Sequence, residues 1–379
     1  MTGPEALPLT GFTVAITASR RVDEFATMLR RRGAEVVAAA AIQMVPLADD
    51  VRLRAATDEV IATPPDIVIA TTGIGFRGWV EAAEGWGVAE SLLDAVGKAR
   101  VISRGPKATG ALRAAGLREE WSPVSESSEE VLAHLNVDDL DGKRVAVQLH
   151  GATDEWDPAP GFVETLAERG ATVVAVPVYR WEQPVGLAAL DGLVENVALG
   201  DVDAITFTSA PAAASFLMRA DELRLIDAVT RALTTTVTPF CVGPVTARPL
   251  ANAGVPSVLP DRMRLGALAR AVVDELPRRR PVLVVAGHTL GVRATCAVVD
   301  GEVRDLSPNS LILLKLLARA PGTVVSRDVM LKALGGDDPH VVDAAVARLR
   351  SALGAKELIA TTVKRGYRLA VDFLPDDDS

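Results

Sequence analysis

Short apolar runs alternate with longer amphipathic stretches along the first 275 residues. Residues 12–17 (FTVAIT) predict a buried strand, 22–32 a helix ending at Gly33, and 35–40 a second strand. Residues 46–50 read as a crossing linker. Residues 66–70 (DIVIA) predict another strand, with a helix after Gly73. Residues 100–103 (RVIS) follow, and a helix starts at Lys107 and closes at Gly116. Residues 143–149, a helix over 161–169, and 172–176 repeat the unit. Residues 203–208 (DAITFT) and 238–242 (TPFCV) each feed a further helix. Strand, helix, strand with short turns implies an α/β fold with parallel sheets.

The chain also repeats itself. GPKATGALRAAG (105–116) and GPVTARPLANAG (243–254) share an opening Gly-Pro, a leucine (Leu112, Leu250) and a closing glycine. DIVIATTGIGFRGWV matches DAITFTSAPAAASFL in outline, and the stretches that begin VAIT and VAVQ match in the same way. Two similar α/β lobes are the simplest reading, one from residues 1–46 with 185–276, the other from 47–184. The linker near Pro46 and a second near 179–185 form a two-stranded hinge. Ligand is expected in a cleft at the C-terminal strand ends.

Residues 277–281 (PRRRP) read as a stiff basic linker. Residues 282–286, 294–299 and 302–306 then predict short antiparallel strands, with a turn at Asp300-Gly301. In the last stretch Asp338-Pro339 pairs an N-cap residue with proline at the first helical position. Val342, Val346, Leu349 and Leu353 recur on one helical face. Arg348 and Arg350 fall outside that face, with His340 in the first turn. Lys364, Arg365 and Arg368 sit in a tight hairpin suited to phosphate contact. Helix, helix, basic helix and basic hairpin predict a winged helix-turn-helix domain over 282–372, aimed at the major groove of double-stranded DNA.

Charge sharpens this picture. The 379 residues carry a net charge of −9 and 49% hydrophobic residues. That balance argues against nonspecific nucleic-acid binding by the whole chain. Between His340 and Arg368, however, six basic residues face two acids. The acidic end, 373–379, is expected to be disordered. Two cysteines, Cys241 and Cys296, suggest no disulfide framework and a reducing cytoplasm. No signal peptide or membrane-length apolar span appears, so no membrane partner is expected. The four histidines show no metal spacing with the cysteines. Gly73-x-Gly75-x-x-Gly78 spells a dinucleotide fingerprint, but no acidic residue follows on a second strand about twenty positions on.

Val342-Asp343, Arg348-Leu349-Arg350 and Gly366-Tyr367-Arg368-Leu369 resemble the response-regulator effector domain of the OmpR/PhoB type. Ala344, Ala345, Ser351 and Ala352 stand where that family often carries longer or charged side chains. The first 275 residues resemble uroporphyrinogen-III synthase, most clearly at Thr206-Phe207-Thr208-Ser209, at Gly243-Pro244-Val245-Thr246-Ala247 and at Pro177-Val178-Tyr179-Arg180. That family closes a linear tetrapyrrole, hydroxymethylbilane, without metal or organic cofactor. The resemblance implies Tyr179 as general acid for loss of the substrate hydroxyl, or as a hinge packing residue. It implies Ser209 and Thr246 as polar cleft positions, or as ordinary caps. Helix N-termini at Thr72-Gly73, Gly105 to Thr109, Ser209 and Gly243 to Thr246 offer free N–H groups to a carboxylate-rich substrate. Arg20, Arg21, Arg104 and Lys107 add positive charge.

Two departures bear on turnover. Thr72-Gly73-Ile74-Gly75 replaces a more usual serine-containing turn, and the acidic stretch 150–157 lies by a mouth that favours anions. The expected function is a transcriptional regulator with a synthase-like sensor or partner-binding module. Fusions of this layout resemble actinobacterial regulators of nitrate and nitrite assimilation. The alternative is a working synthase with a DNA-binding appendage. Expected partners are duplex DNA, a tetrapyrrole or other polyanion, another transcription factor, and further copies of the chain.

Overall fold

The structure, a computed structural model, describes residues 7–124, 127–135, 140–152, 157, 160–280, 282–335 and 340–371. Five sequence expectations therefore lie outside the described residues. They are the Asp338-Pro339 cap, Pro281, the His340 side chain, residues 153–156 of the acidic stretch, and the acidic end. The chain divides into two compact units. One comprises residues up to Ala41 together with Gly186 onward, and the other comprises Ile42–Val185.

Among the described residues ten strands build the two lobes. In chain order they are β1 (Thr13–Ile16), β2 (Glu35–Ala38), β3 (Gln43–Pro46), β4 (Ile67–Ala70) and β5 (Arg100–Ser103). There follow β6 (Arg144–Gln148), β7 (Thr172–Val176), β8 (Tyr179–Glu182), β9 (Ala204–Phe207) and β10 (Thr238–Cys241). The first lobe orders its parallel sheet β10-β9-β1-β2, and the second orders its own β5-β4-β6-β7. The internal repeat matches β1 with β6, β2 with β7, β9 with β4 and β10 with β5, so the two sheets share one topology. β3 and β8 pair antiparallel, Val45 opposite Arg180, as the predicted two-stranded hinge. Central strands such as β1, β4 and β9 are buried on both faces. That is why they read as unbroken apolar runs rather than as alternation.

Phe12, Phe25, Leu29, Phe240, Leu268 and Val272 fill the core of the first lobe. Trp79, Phe76, Leu53 and Leu92 fill one face of the second. The buried Trp79 indole donates to Thr57 at 2.9 Å, which satisfies its N–H without water. The fingerprint glycines have a packing explanation. A Cβ on Gly73 would lie 2.2 Å from the Lys107 carbonyl oxygen, and one on Gly75 would lie 2.0 Å from the Gln148 amide nitrogen. These positions are small because protein backbone and side chain already occupy the space a Cβ would need.

Residues 277–279 correct the linker expectation. The helix Leu265–Arg279 runs through Pro277, Arg278 and Arg279. The proline sits in its last turn, where one lost N–H bond is tolerated. Beyond it lies a four-stranded antiparallel sheet, β11 (Leu283–Val285), β12 (His288–Val292), β13 (Cys296–Val299) and β14 (Glu302–Asp305). β12 stands outside the strands expected from the sequence, because its polar start and Gly291 break the apolar pattern. Helices Pro308–Ala318, Arg327–Ala333 and His340–Leu353 follow, then the hairpin β15 (Ile359–Thr362) and β16 (Gly366–Leu369). Leu313, Leu317, Met330, Val342, Val346, Leu349, Leu353 and Leu369 form the core of this winged-helix domain. Ala345 joins them at 1% exposure, so its small size is a packing requirement.

Within this unit the winged-helix sheet is fastened to the first lobe. The buried Asp203 carboxylate accepts the Thr13 N–H on one oxygen and the Ala294 N–H on the other, both at 2.9 Å. Burial raises its pKa, and the two N–H bonds oppose the rise. The Arg293 guanidinium, itself buried, lies 4.0 Å from the Phe12 ring centroid. The Cys296 thiol donates to the Gly11 carbonyl at 3.3 Å, and the Lys315 ammonium to the Gly200 carbonyl at 3.2 Å.

Candidate nucleic-acid interface and ligand turns

The helix His340–Leu353 buries Val342, Ala345, Val346, Leu349 and Leu353 and turns its other side outward. Val341, Ala344, Ala347, Arg348 and Ser351 are exposed there. Arg348 has no hydrogen-bond or ion-pair partner among the described residues. Arg350 behaves otherwise. Its Nε donates to the Ile359 carbonyl at 3.1 Å and its Nη2 to Thr361 Oγ1 at 2.8 Å. Arg350, expected on the DNA side, is braced between the helix and the wing and projects differently from Arg348. The reason is angular: two residues' separation turns a side chain by about 200° around the axis.

A second brace joins three elements. Asp343 accepts from the Tyr367 hydroxyl at 2.6 Å and from Arg327 Nε at 2.9 Å, while the Arg327 guanidinium lies 4.9 Å from the Tyr367 ring centroid. The bond to Asp343 raises the Arg327 pKa. Burial and the same carboxylate raise that of the Tyr367 phenol. At the wing tip Val363, Lys364 and Arg365 are exposed. Lys364 has φ 60° and Gly366 φ 138°, and a Cβ on Gly366 would lie 2.0 Å from the Val325 carbonyl oxygen. That glycine lets the wing turn back against the chain before Ser326. Arg368 is half-buried, donating to its neighbour Leu369 at 3.3 Å, so it lies away from the basic tip.

The parallel sheets gather the predicted ligand residues at the C-terminal strand ends of each lobe. In the first lobe Arg20 and Arg21 follow β1, Ser209 follows β9, and Gly243 and Thr246 follow β10. Arg20 is exposed, whereas Arg21 is paired with Glu24 at 2.6 Å. Ser209 caps its helix by accepting from the Ala212 N–H, and Thr246 is buried. In the second lobe Thr72 and Gly73 follow β4, and Lys107 and Thr109 follow β5. Thr72 accepts from the Gly75 N–H, Lys107 is exposed, and the Thr109 hydroxyl lies 2.6 Å from Ser103 Oγ. Tyr179 is 4% exposed, with its hydroxyl 3.3 Å from Thr72 Oγ1 and its ring edge-on to Trp181.

The two repeated parallel-sheet lobes and the C-terminal domain are each matched by known proteins. The family model described as uroporphyrinogen-III synthase HemD matches residues 23–270. The chain belongs to the uroporphyrinogen-III synthase HemD family. A second family model, described as the C-terminal part of transcriptional regulatory proteins, matches residues 301–369. The chain is 31% identical to the uncharacterized protein YjjA of Bacillus subtilis (strain 168) over 264 residues, which are 69% of this chain and 94% of that one. A mutant uroporphyrinogen III synthase from the extremely thermophilic bacterium Thermus thermophilus superposes with a TM-score of 0.58 at 27% identity, covering 71% of this chain and all of that one. The DNA-binding domain of Klebsiella pneumoniae RstA, solved with its RstA box, is 28% identical over 24% of this chain and 96% of that one, with a TM-score of 0.21. The HemD module is thus followed by a region that matches the C-terminal domain of transcriptional regulatory proteins.

In the HemD module, Gln148 was not foreseen as an organiser. It is fully buried at the end of β6 and accepts the Thr72 N–H at 3.0 Å, while its carbonyl accepts from Thr71 at 2.6 Å. It thereby fixes the turn that holds Thr72 beside Tyr179. A glutamine ending an apolar strand was the available signal. His150, two residues on, lies 3.3 Å from Asp157. Burial, then the charge of Arg104, push its pKa down to about 4 against the pull of Asp157, so it is neutral at pH 7. Burial pushes the Cys241 and Cys296 thiols up to about 12 and about 11, which leaves them protonated and unreactive. Among the described residues no group of three or more His, Cys, Asp or Glu side chains could hold a metal ion, and no helix is long and apolar enough to cross a membrane.

Proposed function

We propose that the chain is a DNA-binding transcriptional regulator whose HemD module controls the effector domain. The observation that carries this reading is the fastening at Asp203. One carboxylate ties β1 of the lobe to the loop before β13. A change in the lobe has a direct mechanical route to the domain that meets DNA. The ligand we propose is a carboxylate-rich tetrapyrrole. Within the first lobe, the helix N-termini after β9 and β10, with Arg20 exposed after β1, suit its charge. Its binding would shift the population of DNA-competent states. Arg348 meets base edges, Lys364 and Arg365 meet phosphates, and self-association on repeated half-sites completes the complex. Control of nitrate and nitrite assimilation, in a reducing cytoplasm, is the setting we propose from the layout of the fusion.

The full chain, titrated with duplex DNA fragments from upstream of its own gene, tests this. Lys364→Ala with Arg365→Ala should lower affinity on every sequence and reduce the salt slope by about two. Unchanged affinity would remove the wing from the interface.

One observation favours a second reading, a retained synthase reaction. The Tyr179 hydroxyl stands beside Thr72 at the end of β4, where a general acid would serve loss of a hydroxyl. Turnover of hydroxymethylbilane by purified protein, lost in Tyr179→Phe, would establish it. No turnover would leave the module as a binding device.

A further inference from the structure

We propose that the recognition helix reads a guanine through Arg348 and reads thymine methyl groups beside it through Ala344 and Ala347. This deepens the regulatory reading above and rests on it. The outward face of that helix is sparse in charge. From Val341 to Leu353 the helix carries three charged side chains, Asp343, Arg348 and Arg350. Asp343 is engaged by Tyr367 and Arg327, and Arg350 by Ile359 and Thr361. Only Arg348 remains exposed without a partner among the described residues. The rest of that face is Val341, Ala344, Ala347 and Ser351.

Major-groove chemistry then restricts the sequence that fits. A guanidinium donates two bonds to the O6 and N7 acceptors of guanine, the best match it has among the bases. An exposed alanine offers only a methyl group, and thymine C5 is the one apolar feature of a major-groove edge. Val341 to Leu353 contains no Asn or Gln to read adenine. Its one carboxylate, which could accept from cytosine N4, is occupied inside the domain. Ala344 and Arg348 are one helical turn apart, a rise of about 6 Å, which spans roughly two base steps. The guanine and the nearest thymine therefore lie within about three base pairs of each other.

The test uses the full chain and a duplex selected from a randomised library. Each selected half-site should contain such a guanine-thymine group. Replacing that guanine by 7-deazaguanine, which lacks the N7 acceptor, should weaken wild-type binding about tenfold. Arg348→Ala should bind both duplexes alike. Replacing the thymine by deoxyuridine, which removes only the methyl, should weaken binding about fourfold with no change to the protein. Selective binding that ignores both replacements would overturn the inference and leave the regulatory reading standing. Failure to bind any duplex at low salt would overturn both.

Discussion

Arg348 and Arg350 have the same side chain, and their surroundings decide what each does. Arg350 holds the Ile359 carbonyl and Thr361 on β15, so Arg350→Ala should loosen the wing by about 1–2 kcal/mol. Hydrogen exchange at residues 359–362 should speed up in that variant. It should be unchanged in Arg348→Ala, whose exposed side chain has no hydrogen-bond or ion-pair partner among the described residues. Equal exchange in both variants would show that the brace contributes nothing. His288 gives a pH-dependent prediction. Its ring lies 2.6 Å from Asp300 and 3.1 Å from Glu357, and bonds to Asp300, then Glu357, raise its pKa above 6.5. Both carboxylates have lowered pKa values and stay charged across the window. The stabilisation is thus fully present below pH 6.5 and is lost as pH rises through the folded value. The winged-helix melting temperature should fall between pH 6 and 8 in wild type and stay flatter in His288→Asn. Parallel curves would assign the dependence to another group.

Among elements, the sheet β11–β14 has two duties. One face packs on the helices, and Ala294 before β13 donates to the lobe. Asp203→Ala removes two hydrogen bonds and leaves two buried N–H groups without a partner, a loss of about 2–4 kcal/mol at this contact. Proteolysis near residue 281 should release the winged-helix domain faster from that variant, and an unchanged rate would mean that other contacts hold it. The elements also show what was legible in the sequence. Strands buried on both faces, such as VAI in β1 and IVIA in β4, stand out because nothing polar interrupts them. β12 does not, because His288 and Thr289 face outward and Gly291 interrupts it. Pro277 read as a break, yet it sits in the last turn of a helix. Asp203 and Arg293 are buried although ionisable, and contacts across 91 and more residues, to Ala294 and to Phe12, accompany their burial. Such pairings leave no local pattern to read. The arginines of the recognition helix were legible as a basic face, but their division of labour depended on where Ile359 and Thr361 fold back.

At the scale of the molecule, a duplicated α/β lobe pair has acquired a reader of DNA, with a negative whole and a positive end. The −9 net charge disfavours indiscriminate binding, and the phosphate contact we propose is confined to the exposed wing tip. The two halves make one device only if occupancy of the HemD module alters the grip on DNA. The direct measurement is the affinity of the full chain for its selected duplex, with and without saturating uroporphyrin III, whose fluorescence reports its own binding. The account predicts a change of at least about fivefold, diminished in Asp203→Ala. Failure of uroporphyrin III to bind, or the same DNA affinity with it bound and absent, would contradict it.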